Sequence, residues 1–166
     1  MNITFNADEI FEMAEEIEHH GGKFYREAAK NAPDKKTKQM LLGLAVMEDG
    51  HLRTFKEMRE QLSGQEKGQA VFDPDNEAIM YLQTMADSHG AEGKISPTKR
   101  LTGKETIKEI LEIALNSEKD SVVFYFGLRS FVSEKAGKDK VEGIIKEEIG
   151  HIAVISQKLA ELKQPK

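Results

Sequence analysis

Displaced by 100 residues, the chain matches itself. Between Ala7 and Leu62, 14 of 56 positions carry the residue found 100 positions later, with no gap. Unrelated segments of this composition would agree at about 3 or 4. Glu18, Phe24, Tyr25, Gly43, Glu48, Gly50 and His51 fall on Glu118, Phe124, Tyr125, Gly143, Glu148, Gly150 and His151. The two stretches are therefore versions of one unit. Packed about an approximate two-fold axis, such units set equivalent side chains opposite each other, so a polar residue buried in one copy meets its twin.

Each unit reads as a helical hairpin. Apolar residues recur at helical spacing in four segments, 8–30, 35–62, 103–131 and 138–162. The stripes are Ile10, Ala14, Ile17, Gly21, Phe24 and Ala28; Leu41, Leu44, Phe55 and Leu62; Ile107, Leu111, Ala114, Tyr125 and Leu128; and Val141, Ile144, Ile155 and Leu162. Asn6 with Glu9, and Thr102 with Glu105, have the spacing of reciprocal helix caps. Pro33 ends the first segment and Ser63-Gly64 the second. The connection 63–101 is too long for a plain loop. Within it, Asp73-Pro74 followed by Ala78, Ile79, Leu82, Met85 and Ala86 predicts a short helix ending near Gly90. Two tight hairpins and one long crossover predict an all-α four-helix bundle. The expected organisation is a single domain, 1–166, with hairpins 8–62 and 103–162.

Composition narrows the chemistry. The 166 residues contain no cysteine, which excludes disulfides, thiolate metal sites and iron–sulfur clusters within them. The net charge is −5 and there is no basic stripe, so no nucleic-acid partner is expected. No apolar run approaches the roughly 18 residues of a membrane span. The stretch MNITFNADEIFEMAEE shows no secretion signal, so the expected location is the cytoplasm.

The informative residues are polar ones inside the apolar stripes. Glu18 follows Ala14 by four residues and precedes Tyr25 by seven, and Glu118 has the same setting. Glu48 and His51 interrupt the second stripe, and Glu148 and His151 the fourth. Residues three apart on a helix are neighbours, so each Glu-x-x-His aims two side chains at one point. Glu18 lies 15 residues before Pro33 and Glu48 lies 15 after it. Both then stand about 22 Å from the turn; Glu118 and Glu148 straddle Ser133 in the same way. A lone Glu-x-x-His is ordinary on a helix, but a duplicated, level set of six is not. Four buried carboxylates must either stay protonated or be neutralised, and two divalent cations would balance them. Oxygen and imidazole donors without sulfur suit iron or manganese, with zinc as a further fit.

Tyr25 and Tyr125 share the face of Glu18 and Glu118 two turns on. They read either as hydrogen-bond donors to ligand carboxylates or as ordinary core aromatics. His19 and His20 point away from the stripe, His89 falls near the end of the crossover helix, and the methionines read as core filling.

These residues carry a resemblance. Ile17-Glu18 with Phe24-Tyr25, Glu48-Asp49-Gly50-His51, Glu118-Lys119-Asp120 with Phe124-Tyr125, and Glu148-Ile149-Gly150-His151 resemble the rubrerythrin branch of the ferritin-like superfamily. The resemblance implies a ferritin-like bundle holding two iron ions, with manganese or zinc as alternatives. It implies Glu18 and Glu118 as terminal ligands, Glu48 and Glu148 as bridges, and His51 and His151 each completing one metal. It implies reduction of hydrogen peroxide or dioxygen; the alternative is iron binding, Fe²⁺ oxidation or storage without peroxidase turnover. Full-length rubrerythrins carry a rubredoxin-like Cys₄ domain, which these residues cannot form, so a separate electron-donor protein is expected. Ser121 stands where rubrerythrins have an extra carboxylate, with Gly21 at the mirror position. The donor set is also similar to that of bacterioferritin, whose haem methionine is replaced by Asp49, so no haem is expected. Self-association as a homodimer follows from the same resemblance.

Overall fold

The computed structural model describes residues 7–62, 64, 80, 101–132 and 137–163. Four long helices account for nearly all of them: α1 (Ala7–Lys30), α2 (Lys35–Glu60), α3 (Ile107–Phe131) and α4 (Lys138–Lys163). The described residues contain no strand, and none of their helices is long and apolar enough to cross a membrane. The architecture is the expected all-α four-helix bundle. The expected cap at Asn6, the crossover helix at 73–90, the turn at Ser133 and His89 lie outside the described residues.

Local chemistry sets the ends. Asp34 caps α2, accepting from the Thr37 backbone N–H at 2.7 Å and the Thr37 hydroxyl at 2.8 Å. The start of α3 differs from the expected one. Thr102 and Glu105 do bond, the Thr102 N–H donating to Glu105 at 2.9 Å. Gly103, however, has φ +81, a left-handed conformation that no helix continues. The next pair with the same spacing, Thr106 and Glu109, forms the reciprocal cap instead, and the helix opens at Ile107. Gly137, with φ +99, makes the turn into α4, and a Cβ there would lie 3.1 Å from Met58.

α1 packs on α2 and α3 on α4; across the bundle α1 faces α3 and α2 faces α4. Arg59 of α2 clamps Asp8 of α1 with two hydrogen bonds of 2.9 and 2.8 Å, which fixes the register of the first hairpin. The burial pattern repeats with the sequence: residues 10–20 and 110–120 alternate between buried and exposed in the same order. Three expectations fail in detail. α2 ends at Glu60, although Leu62 stays buried. Leu162 is 42% exposed because it lies in the last turn of α4, beyond the packed length of the bundle. Only some described methionines fill the core: Met58 is buried, whereas Met47 and Met80 are exposed.

The core falls into two apolar clusters. One gathers Ile10, Phe11, Ala14, Phe55, Leu128 and Val141 with their neighbours. The other gathers Phe24, Ala28, Leu41, Leu111, Ile155 and Leu159 with theirs. Each takes one half of all four helices, as antiparallel neighbours require. Large side chains buried this fully stabilise the fold by about 1.5–3 kcal/mol each. Between the clusters lies a layer of polar side chains.

Candidate metal centre

α1 supplies Glu18 to this layer, α2 Glu48 and His51, α3 Glu118, and α4 Glu148 and His151, none more than 4% exposed. Their donor atoms form two groups, Glu18–Glu48–His51–Glu148 and Glu48–Glu118–Glu148–His151, and within each group one donor atom from each residue lies within 4.8 Å of the others. Glu48 and Glu148 belong to both groups. The two imidazoles stack with centroids 5.7 Å apart.

Both imidazoles turn Nδ1 inward. His51 Nδ1 lies 3.2 Å from Glu18 Oε2 and 3.0 Å from Glu148 Oε1. His151 Nδ1 lies 2.9 Å from Glu148 Oε2 and 3.4 Å from both Glu48 and Glu118. Despite these approaches, both Glu148 oxygens and both His151 nitrogens are buried without an aligned hydrogen-bond partner among the described residues. Buried polar atoms are almost always paired. Donors about 2.1 Å from a common ion stand about 3–4 Å from each other, so the residues present fit a pair of cations.

The electrostatics of the cluster without ions show what would be neutralised. Burial, then the charges of Glu48 and Glu148, push the Glu18 carboxyl well above its ordinary range. Burial likewise pushes Glu118 up, with the charge of Glu148 adding to it. Burial opposes ionisation of Glu148 too, but the adjacent His151 and His51 outweigh it and hold Glu148 below the ordinary range. Burial opposes charging of the imidazoles; the carboxylates against them prevail and push His51 up to about 11 and His151 up to about 12. Without ions, protons on the imidazoles and on Glu18 and Glu118 offset part of the cluster's negative charge.

The tyrosines bond across the hairpins. The Tyr25 hydroxyl donates to Glu118 and the Tyr125 hydroxyl to Glu18. Each hydroxyl therefore bonds a carboxylate of the cluster, and each ring is also packed in the apolar core. A space of about 10 Å³ lies between α1 and α3, lined by Gly21, Tyr25, Glu48, Ser117, Glu118 and Ser121. It is about the size of one water molecule. Gly21 is packed so closely that a Cβ would stand 3.2 Å from Glu48 Oε2. His19 is exposed, and His20 bonds the Glu16 carbonyl at 2.7 Å, so neither joins the cluster.

One residue of the surroundings escapes sequence reasoning. Glu147 of α4 stands 3.0 Å from His51 Nε2, outside the cluster. Its mirror position holds Met47, so the repeat does not flag it. Only the fact that it directly precedes Glu148 could have done so.

Comparison with known proteins follows the same lines. The sequence profile of the rubrerythrin family matches residues 9–160. The chain is similar in structure to a ferritin-like diiron-carboxylate protein from Thermotoga maritima, with TM-score 0.74 and 23% identity, covering 98% of this chain and 100% of that one. No curated protein matches the sequence. With the profile spanning most of its length, the chain belongs to the rubrerythrin family.

Proposed function

We propose that the protein is a non-haem diiron oxidoreductase that reduces hydrogen peroxide or dioxygen with electrons from a separate donor protein. The observation that carries this reading is the sharing of Glu48 and Glu148 between two donor groups. Glu48 and Glu148 would each offer donors to both of two adjacent cations. Glu18 and His51 would hold one ion at its outer side, Glu118 and His151 the other. Oxygen and nitrogen donors without sulfur favour iron, with manganese or zinc as competitors. When bound, a ferrous pair would supply the two electrons that convert peroxide and two protons into two waters.

The protein's own residues have definable tasks. Tyr25 and Tyr125 hold Glu118 and Glu18 in place and satisfy one oxygen of each. The two apolar clusters exclude bulk water above and below the layer. The space beside Gly21, Ser117 and Ser121 is about the size of one water molecule and lies next to Glu48 and Glu118.

The test is anaerobic reconstitution with Fe²⁺, followed by rapid mixing with peroxide and with dioxygen. Oxidation faster than that of free Fe²⁺, saturating near two ions per chain, is expected. Oxidation no faster than in buffer would end the proposal. Repeated Fe²⁺ additions that keep far more than two ions per chain soluble would favour iron storage.

A further inference from the structure

The repeat makes the two halves of the centre look equivalent, but their surroundings are not. His51 presents Nδ1 to the cluster and Nε2 to Glu147, 3.0 Å away on α4. A carboxylate there accepts the Nε2 proton and fixes the ring plane, so that Nδ1 is the nitrogen that would give up its proton to an ion. His151 has no such support. Its Nε2 is buried with no hydrogen-bond partner among the described residues. The residue 100 positions before Glu147 is Met47, whose thioether is at best a weak acceptor. The difference sits at a groove of about 510 Å³ between α2 and α4, lined by Met47, Gly50, His51, Thr54, Gly143 and Glu147 among others. Glu147 has a side chain 55% exposed, so it is not one of the buried donors.

Resting on the dimetal reading above, we propose that the two metal positions are unequal. Glu147 is a positioning residue that makes the position built on His51 and Glu18 the tighter one. The position built on His151 and Glu118 fills second. Three physical effects act in the same direction. The anchored imidazole loses less orientational freedom when an ion binds. The carboxylate raises the basicity of Nδ1 through the ring. The buried Nε2–H of His151 gains no acceptor in return for its lost hydration.

The test titrates Co²⁺ into the metal-free full chain, following the visible absorption and the ion-shifted exchangeable imidazole N–H signals. The wild type is expected to bind two ions in separable steps. The N–H signal of the tighter step should exchange slowly with water, because Glu147 holds it. Glu147→Leu should weaken that step about 10-fold and speed exchange of its N–H, leaving the other step in place. Glu147→Asp should restore part of the loss. Met47→Glu, on an exposed position, should tighten the weaker step and bring the two together. One indistinguishable affinity for both ions in the wild type would overturn the proposal, as would Glu147→Leu leaving the tighter step and its N–H exchange unchanged. Binding of no Co²⁺ at all would sink the dimetal reading itself and this inference with it, an outcome distinct from two equal sites.

Discussion

Tyr25 on α1 donates its hydroxyl to Glu118 on α3, and the bond joins the two halves of the repeat rather than residues of one hairpin. The mirror pair, Tyr125 to Glu18, runs the other way. Residue 25 opposite 118 and residue 125 opposite 18 can both hold only if α1 and α3 are antiparallel and level at the polar layer. Removing either hydroxyl leaves one oxygen of a buried carboxyl unpaired. Tyr125→Phe should cost about 1–3 kcal/mol of stability. It should weaken metal binding through Glu18, with little change in the helical spectrum. Chemical denaturation and a metal titration read the two effects separately.

The sharing of carboxylates predicts unequal mutants. Glu48→Ala removes a donor common to both groups, whereas Glu18→Ala removes a donor from one. After iron reconstitution and desalting, Glu18→Ala should retain about one ion per chain and Glu48→Ala fewer. Elemental analysis decides it; equal retention would argue that Glu48 does not bridge.

Metal uptake should release protons. In the metal-free protein His51 and His151 hold their protons to about 11 and 12, and Glu18 and Glu118 are also raised. The folded values lie above the unfolded ones. The imidazolium–carboxylate contribution to stability is therefore fully present below about pH 6.5 and is lost as pH rises through 11 to 12. Ion binding must displace these protons, so affinity should climb as pH rises from 6 to 8. Calorimetric titrations in buffers of different ionisation enthalpy count the protons. A pH-independent affinity with no proton release would contradict the cluster's electrostatics.

Two glycines in mid-helix should respond in opposite ways. At Gly50 an added Cβ meets nothing within 4 Å, so Gly50→Ala should stabilise the protein by about 1 kcal/mol through helix propensity. At Gly21 the Cβ stands 3.2 Å from Glu48 Oε2 and must displace that carboxylate. Gly21→Ala should therefore slow oxidation and weaken ion binding while leaving the fold intact. Thermal melts and the reconstitution assay distinguish the pair.

Much of the fold was legible because its determinants are local. Pro33 and Asp34 turn the first hairpin whatever surrounds them, and the apolar stripes place Leu41, Leu111 and Ile155 inside without knowledge of their neighbours. Where two local signals competed, local reasoning failed. Thr102–Glu105 and Thr106–Glu109 have the same spacing, and the left-handed turn at Gly103 decided between them. Leu162 fits its stripe, but its burial depends on where the packed bundle ends. Glu147 looks like any exposed glutamate until α2 is laid beside α4.

Helical spacing and the repeat are enough to turn Glu18, Glu48, His51, Glu118, Glu148 and His151 inward at one level. Helical rise and rotation per residue are properties of the backbone, and the repeat states the pattern twice. Which of these side chains meet depends on how the four helices pack. Packing sets Glu148 between both imidazoles, Tyr25 on Glu118 and, among the described residues, a supporting carboxylate behind His51 but none behind His151. Such pairings depend on the register and spacing of helices far apart in the chain, which no periodicity within a single helix encodes.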